Sequence, residues 1–120
     1  MDVTPLIPAD RKVIQGYGDG GFRISGERHE GSVILFGGTL LPWDGQLTAD
    51  SLSVVLGAEP KPQILLLGTG ATMTLPPPEL RRFFREQGVT IDAMDTGAAC
   101  RTYGVLLAEE RRVVVALTVV

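Results

Sequence analysis

Apolar and polar positions fall into short blocks along this chain, and the period changes from block to block. Val13-Ile14-Gln15 and Phe22-Arg23-Ile24-Ser25 read as two strands flanking the turn-rich run from Gly16 to Gly21. The second stretch alternates apolar with polar, the period of a half-buried strand. Gly26 to Gly31 reads as a polar turn, and Ser32 to Phe36 as a continuous apolar strand covered on both faces. The stretch from Gly37 to Gly45 reads as a loop carrying Trp43.

Helix signals follow. Thr48 is a good N-cap, Leu47 and Leu52 form a hydrophobic staple, and Gly57 stands at the expected stop, predicting a helix over 48–56. Ile64 to Leu67 reads as a central strand. Strand 32–36, helix 48–56 and strand 64–67 then form one βαβ unit, which predicts two parallel strands joined by a right-handed crossover. Pro76-Pro77-Pro78 opens a second helix with Leu80, Phe83 and Phe84 inward; Arg81, Arg82 and Arg85 face mostly outward, and Gly88 stops it. Val89 to Ile91 reads as a short strand. Thr96 caps a third helix over 97–108, with Ala98, Ala99, Thr102, Val105 and Leu106 as its apolar set. Val113 to Val119 is the last strand and the most β-branched segment.

The alternation predicts an α/β sheet with helices on both faces and an N-terminal β-hairpin in addition. Residues 1–12 read as an extended arm and 13–120 as a single domain. The 120 residues suit one domain and can bury a core without metal or disulfide.

Composition narrows the chemistry. The net charge is −3, whereas a domain that grips nucleic acid phosphates is usually basic, so nucleic acid is an unlikely partner on this reading. One cysteine, Cys100, excludes an internal disulfide and a multi-cysteine zinc site. One histidine, His29, leaves little for a histidine metal site or a Ser/His/Asp triad. No apolar run approaches the ~20 residues that span a bilayer, and the first ten residues lack the basic start of a signal peptide. The expected location is therefore cytoplasmic, and no cofactor is called for.

Two loops carry the candidate chemistry. Gly68-Thr69-Gly70 follows the central strand, at the end where open α/β sheets hold ligands. Met73 stands where a dinucleotide fingerprint needs glycine, and no Lys-Ser/Thr follows, so this is neither a Rossmann fingerprint nor a P-loop. Asp95 and Thr96 sit at a helix start after another strand. They serve as helix caps or, with Gly68, Thr69, Gly70 and Arg101, as the lining of one crevice for a small polar or anionic ligand. Cys100 reads as a buried core thiol rather than a nucleophile. Trp43 beside Pro42 is either a contact anchor for a partner or a lid over the core, and Tyr103 either lines a cleft or covers a helix surface.

These pieces together resemble a known family. Tyr17 to Ile24 (Y-G-D-G-G-F-R-I), Gly31-Ser32-Val33-Ile34-Leu35, Trp43, Ile64 to Gly70 and Gly88-Val89 match in order and spacing. The strongest piece is Met94-Asp95-Thr96-x-x-Ala99-Cys100-Arg101-Thr102-Tyr103-x-Val105-Leu106, with Glu110-Arg111-Arg112-Val113 after it. The chain resembles a bacterial member of the small-domain family that includes the adipogenesis-associated protein and the mitochondrial complex I (NADH dehydrogenase) assembly factor 3. The resemblance implies a three-layer α/β domain with a mixed sheet and a β-hairpin addition, and a role in assembling a respiratory complex through a protein partner. The absence of a catalytic constellation favours such a non-enzymatic interaction module over the alternative, a ligand binder or enzyme using the 68–70 and 95–96 crevice.

Overall fold

A computed structural model describes residues 11–120. Most of the arm expected at 1–12 lies outside the described residues. Two sheets are present. The smaller is an antiparallel meander of β1 (Ile14–Gly18), β2 (Gly21–Ile24) and β3 (Glu27–Glu30). Its turns are the two-residue loops Asp19-Gly20 and Ser25-Gly26. All four residues have positive φ (52° and 76°, 47° and 85°), the backbone that matches the twist of a tight hairpin. The expected polar turn at 26–31 is thus a third strand, invisible to hydrophobic period because Glu27, Arg28, His29 and Glu30 are all polar.

The larger sheet has the order β5-β4-β8-β6-β7, from β4 (Val33–Phe36), β5 (Thr39–Pro42), β6 (Ile64–Gly68), β7 (Thr90–Met94) and β8 (Val113–Leu117). It is mixed. β8 lies at its centre, parallel to β6 and antiparallel to β4, and β6 is parallel to β7. The strands at 32–36 and 64–67 are therefore antiparallel to each other, which overturns the parallel βαβ expectation. The reason is a missed hairpin. Phe36 pairs with Thr39 across Gly37-Gly38, so the chain reverses into β5 before any helix begins. The crossover to β6 starts from β5, which does run parallel to it.

That crossover contains α1 (Ala49–Leu52), followed by a 3-10 turn over Ser53–Gly57 rather than a continuous helix to 56. The Thr48 side chain caps α1, accepting from the Ser51 N–H at 3.2 Å. Gly57 ends the segment without adopting the positive φ of a helix-terminating glycine. α2 (Pro78–Glu86) begins on the triple proline, and Gly88 at φ 81° lets the chain turn away. α3 (Thr96–Ala108) connects β7 to β8.

Alternation along the sheet sorts side chains into two cores. Ile34, Leu65, Leu67, Val114 and Ala116 pack under α1, the 3-10 turn and α2, with Leu52, Val55, Leu80 and Phe84. Val33, Leu35, Leu66, Val113, Val115 and Leu117 pack on the opposite face against α3 and the small sheet, with Phe22, Ile24, Ala99, Tyr103 and Leu107. The result is three layers, with helices on both faces. α3 turns Thr96, Ala99, Tyr103 and Leu107 inward; of the expected set Ala99 is buried and Leu106 packs partly buried against the core, but Val105 is 57% exposed. The large Tyr103 ring takes the inner position because it buries more apolar area than Val105 can.

Candidate functional site

The parallel pairing of β6 and β7 sends the Gly68–Gly70 and Asp95–Thr96 loops out at the same end of the sheet. There they bond to each other. The Thr69 N–H donates to the Met94 carbonyl and the Thr96 N–H to the Gly70 carbonyl, both at 2.9 Å. The Thr96 hydroxyl accepts from the Gly70 N–H at 2.9 Å and donates to the Thr118 carbonyl at 2.8 Å, which draws in the chain leaving β8. The Thr69 hydroxyl lies 2.9 Å from the Thr72 carbonyl and accepts from the Thr74 N–H at 2.8 Å, folding the next loop over the joint. Asp95, not Thr96, caps α3: its Oδ1 accepts from the Ala98 N–H at 2.9 Å.

These bonds tie the two loops to each other at the place where a crevice was expected. Gly68, Gly70 and Thr96 are buried. A Cβ on Gly68 would come within 2.9 Å of Leu117 Cδ2, 3.0 Å of Thr96 Cα and 3.1 Å of Ala99 Cβ. Close packing of β6 on α3 is what glycine permits here.

Arg101 stands apart from that joint. It is exposed, one turn along α3, on the rim of a cleft of about 180 Å³ between α3 and β1 lined by Ile14, Gln15, Gly16, Tyr17, Gly97 and Cys100. The Tyr17 hydroxyl lies against Gly97, where a Cβ would clash with it. Cys100 is half-buried in this wall, and burial pushes its thiol up to about 11, with Arg101 pulling weakly the other way. A thiol held so far above neutral pH is a poor nucleophile.

The two candidate partner-contact residues are interior. Trp43 is 7% exposed and packs in the core beneath α1 and α2. Its loop is pinned by Asp44, whose carboxylate accepts from the Gln46 N–H at 2.9 Å and the Ser51 hydroxyl at 2.8 Å; both bonds hold the group below its ordinary pKa. Tyr103 is 1% exposed, and burial raises its phenol well above the ordinary value. Neither ring presents a contact face, because each is the large apolar side chain nearest its core and buries more area inside than out.

One feature escaped the sequence reading. Arg81, expected on a solvated helix face, reaches back from α2 and donates through Nη1 to the Ile91 carbonyl of β7 at 2.9 Å. With Arg85, Val89, Thr90 and Ile91 it walls a cleft of about 80 Å³ along the sheet edge. The arginine at i and i+4 on one helix side was the available signal; the strand it would meet was not.

Among the described residues no helix is long and apolar enough to cross a membrane. The sequence profile of the family described as "Protein of unknown function (DUF498/DUF598)" matches residues 14–118. An uncharacterised protein of Rhodobacter capsulatus is 38% identical over 104 residues, 87% of this chain and 82% of that one. The NADH dehydrogenase [ubiquinone] 1 alpha subcomplex assembly factor 3 of Xenopus tropicalis is 30% identical over 113 residues, 91% of this chain but 62% of that protein. The chain thus spans less than two thirds of the assembly factor's length. A crystal structure described as an outer membrane protein from Bartonella henselae superposes with a TM-score of 0.85 at 38% identity, covering 95% of this chain and 98% of that one.

Proposed function

The chain belongs to the DUF498/DUF598 family, and from that membership and the hydrogen bonds that join the loops at the end of its sheet we propose that it is a non-enzymatic protein-interaction module of the assembly-factor kind. One observation carries the reading. At the sheet end where open α/β domains hold small ligands, the buried Thr96 hydroxyl bonds to Gly70 and Thr118. The Thr96 side chain thus spends its donor and acceptor on the fold rather than offering them to a ligand. The likeness to assembly factor 3 of Xenopus tropicalis supports the same reading, with a respiratory-chain protein as the partner class. A cytoplasmic location belongs to this proposal, and cell fractionation checks it.

The test pairs two measurements on the whole chain. Affinity capture from a native bacterial lysate, followed by size-exclusion chromatography, is expected to give a stable stoichiometric complex. A thermal-shift screen with nucleotides, phosphates and small carboxylic acids is expected to be flat. A ligand present at 100 times its dissociation constant would add ~2.7 kcal/mol of stability, so true binding is easily seen. A stabilising ligand whose effect disappears in Thr96→Val or Arg101→Ala would replace this reading with the small-ligand one.

A further inference from the structure

We propose that the exposed edge of β7, beside the arginines of α2, takes up an extended acidic segment of a partner protein as an added strand; the proposal rests on the interaction-module reading and locates its contact face. The main chain gives the first argument. The Thr90 N–H donates to Gln63 and the Met94 carbonyl accepts from Thr69, both at 2.9 Å, so Thr90, Asp92 and Met94 turn their peptide groups toward β6. Strand alternation then turns those of Ile91 and Ala93 outward. The Ile91 carbonyl bonds to Arg81. The Ile91 N–H and both Ala93 groups have no hydrogen-bond partner among the described residues. An unpaired edge of this kind is a template for another strand.

Charge gives the second argument, and it selects the occupant. Arg81 and Arg85 wall the cleft beside this edge, and neither forms an ion pair among the described residues. The acids of α2, Glu79 and Glu86, lie about 100° or more around the helix from both arginines. Asp92 belongs to the other face of the sheet, since Ile91 and Ala93 are the β7 residues that pack toward α2. Guanidinium groups favour carboxylates with planar two-point bonding. An added strand with acidic side chains at alternate positions would therefore set carboxylates over Arg81 and Arg85 while its peptide groups meet Ile91 and Ala93. The other three edges are less suited: β5 ends in Pro42, β3 carries Glu27, Arg28 and Glu30, and β1 lies beside α3 with Tyr17 against Gly97.

The test uses the full chain, isotopically labelled for NMR, and a synthetic acetylated, amidated heptapeptide of alternating glutamate and valine. Expected are chemical-shift changes centred on Thr90–Met94 and the first turns of α2, with amide exchange at Ile91 and Ala93 slowed about tenfold or more. Arg85→Glu should weaken binding about tenfold or more, and Arg85→Lys by less. The same peptide N-methylated at alternate positions, which removes strand donors without touching the protein, should lose binding. The proposal is overturned by an absence of shifts at 90–94 at millimolar peptide, by equal binding of a lysine–valine counterpart, or by an unchanged affinity in Arg85→Glu. Arg85→Glu protein that still captures its lysate complex would sink this face and leave the interaction-module reading standing.

Discussion

The Thr96 hydroxyl donates to the Thr118 carbonyl at 2.8 Å, fastening the start of α3 to the chain leaving β8. The same oxygen accepts from Gly70, so one buried side chain joins segments that follow three parallel strands. Thr96→Val keeps the shape and strands a buried donor and a buried acceptor. A loss of about 2–3 kcal/mol is expected in urea unfolding, against under about 1 kcal/mol for Thr96→Ser, which keeps the hydroxyl. Equal losses for both variants would show that the methyl packing, not the hydroxyl, holds the joint.

Two glycines near this joint should respond differently to alanine. At Gly68 a Cβ meets the Thr96 backbone and Ala99, which cannot retreat without moving α3, and Leu117 of β8, whose side chain is fully buried. Gly68→Ala should cost about 1–3 kcal/mol through overpacking. At Gly97 the obstacle is the far end of the Tyr17 side chain, which is half exposed and free to rotate outward. Gly97→Ala should then be near neutral, since alanine favours a helix by up to ~1 kcal/mol over glycine. Denaturant titration of the two variants side by side checks this.

The layers were legible in the sequence because they depend on burial. Val33–Phe36, Ile64–Leu67 and Val113–Leu117 are apolar on both faces, and the sheet is covered on both faces. Strand direction was not legible, because it hinged on Thr39–Pro42, four residues between Gly37-Gly38 and Trp43 that lack a strand's length or alternation. Once β5 exists, β4 must run against β6. The face of α3 was obscured for another reason. Ala98, Ala99, Cys100, Val105, Leu106 and Leu107 surround the helix, so its period picks out no single side. For the site, the shared exit of the 68–70 and 95–96 loops followed from parallel strands, but their mutual hydrogen bonds needed coordinates. Arg81 reads as solvated until β7 is placed beside it.

Tyr103 gives a third contrast. Its hydroxyl is buried with no hydrogen-bond partner among the described residues, while its ring packs among Phe22, Leu35 and Val115. Tyr103→Phe should be neutral or stabilising by up to ~1 kcal/mol, because it removes a polar group whose burial is uncompensated. Tyr103→Leu should cost about 1–3 kcal/mol through changed shape in a packed core. A large loss in Tyr103→Phe would reveal a bond that the hydroxyl makes in solution.

Cys100 ties reactivity and pH dependence to one cause. Burial raises its thiol from 9.0 to about 11, so at neutral pH almost no thiolate is present and the sulfur is half covered. Labelling of the native chain with a thiol reagent should be slow at pH 7–8 and should accelerate in denaturant. The stability consequence has a definite sign. Well below pH 9 the thiol is protonated both folded and unfolded, and it contributes no pH dependence. Between about 9 and 11 the unfolded chain loses this proton first, so unfolding releases protons and stability falls as pH rises. Tyr103, shifted upward by the same burial, extends the fall to higher pH. Chemical unfolding at intervals from pH 7 to 11 should show a plateau followed by a decline, and Cys100→Ala should soften the first part of that decline. An undiminished slope in Cys100→Ala, or rapid stoichiometric labelling at pH 7, would show that the thiol is more exposed than its place between α3 and β1 implies.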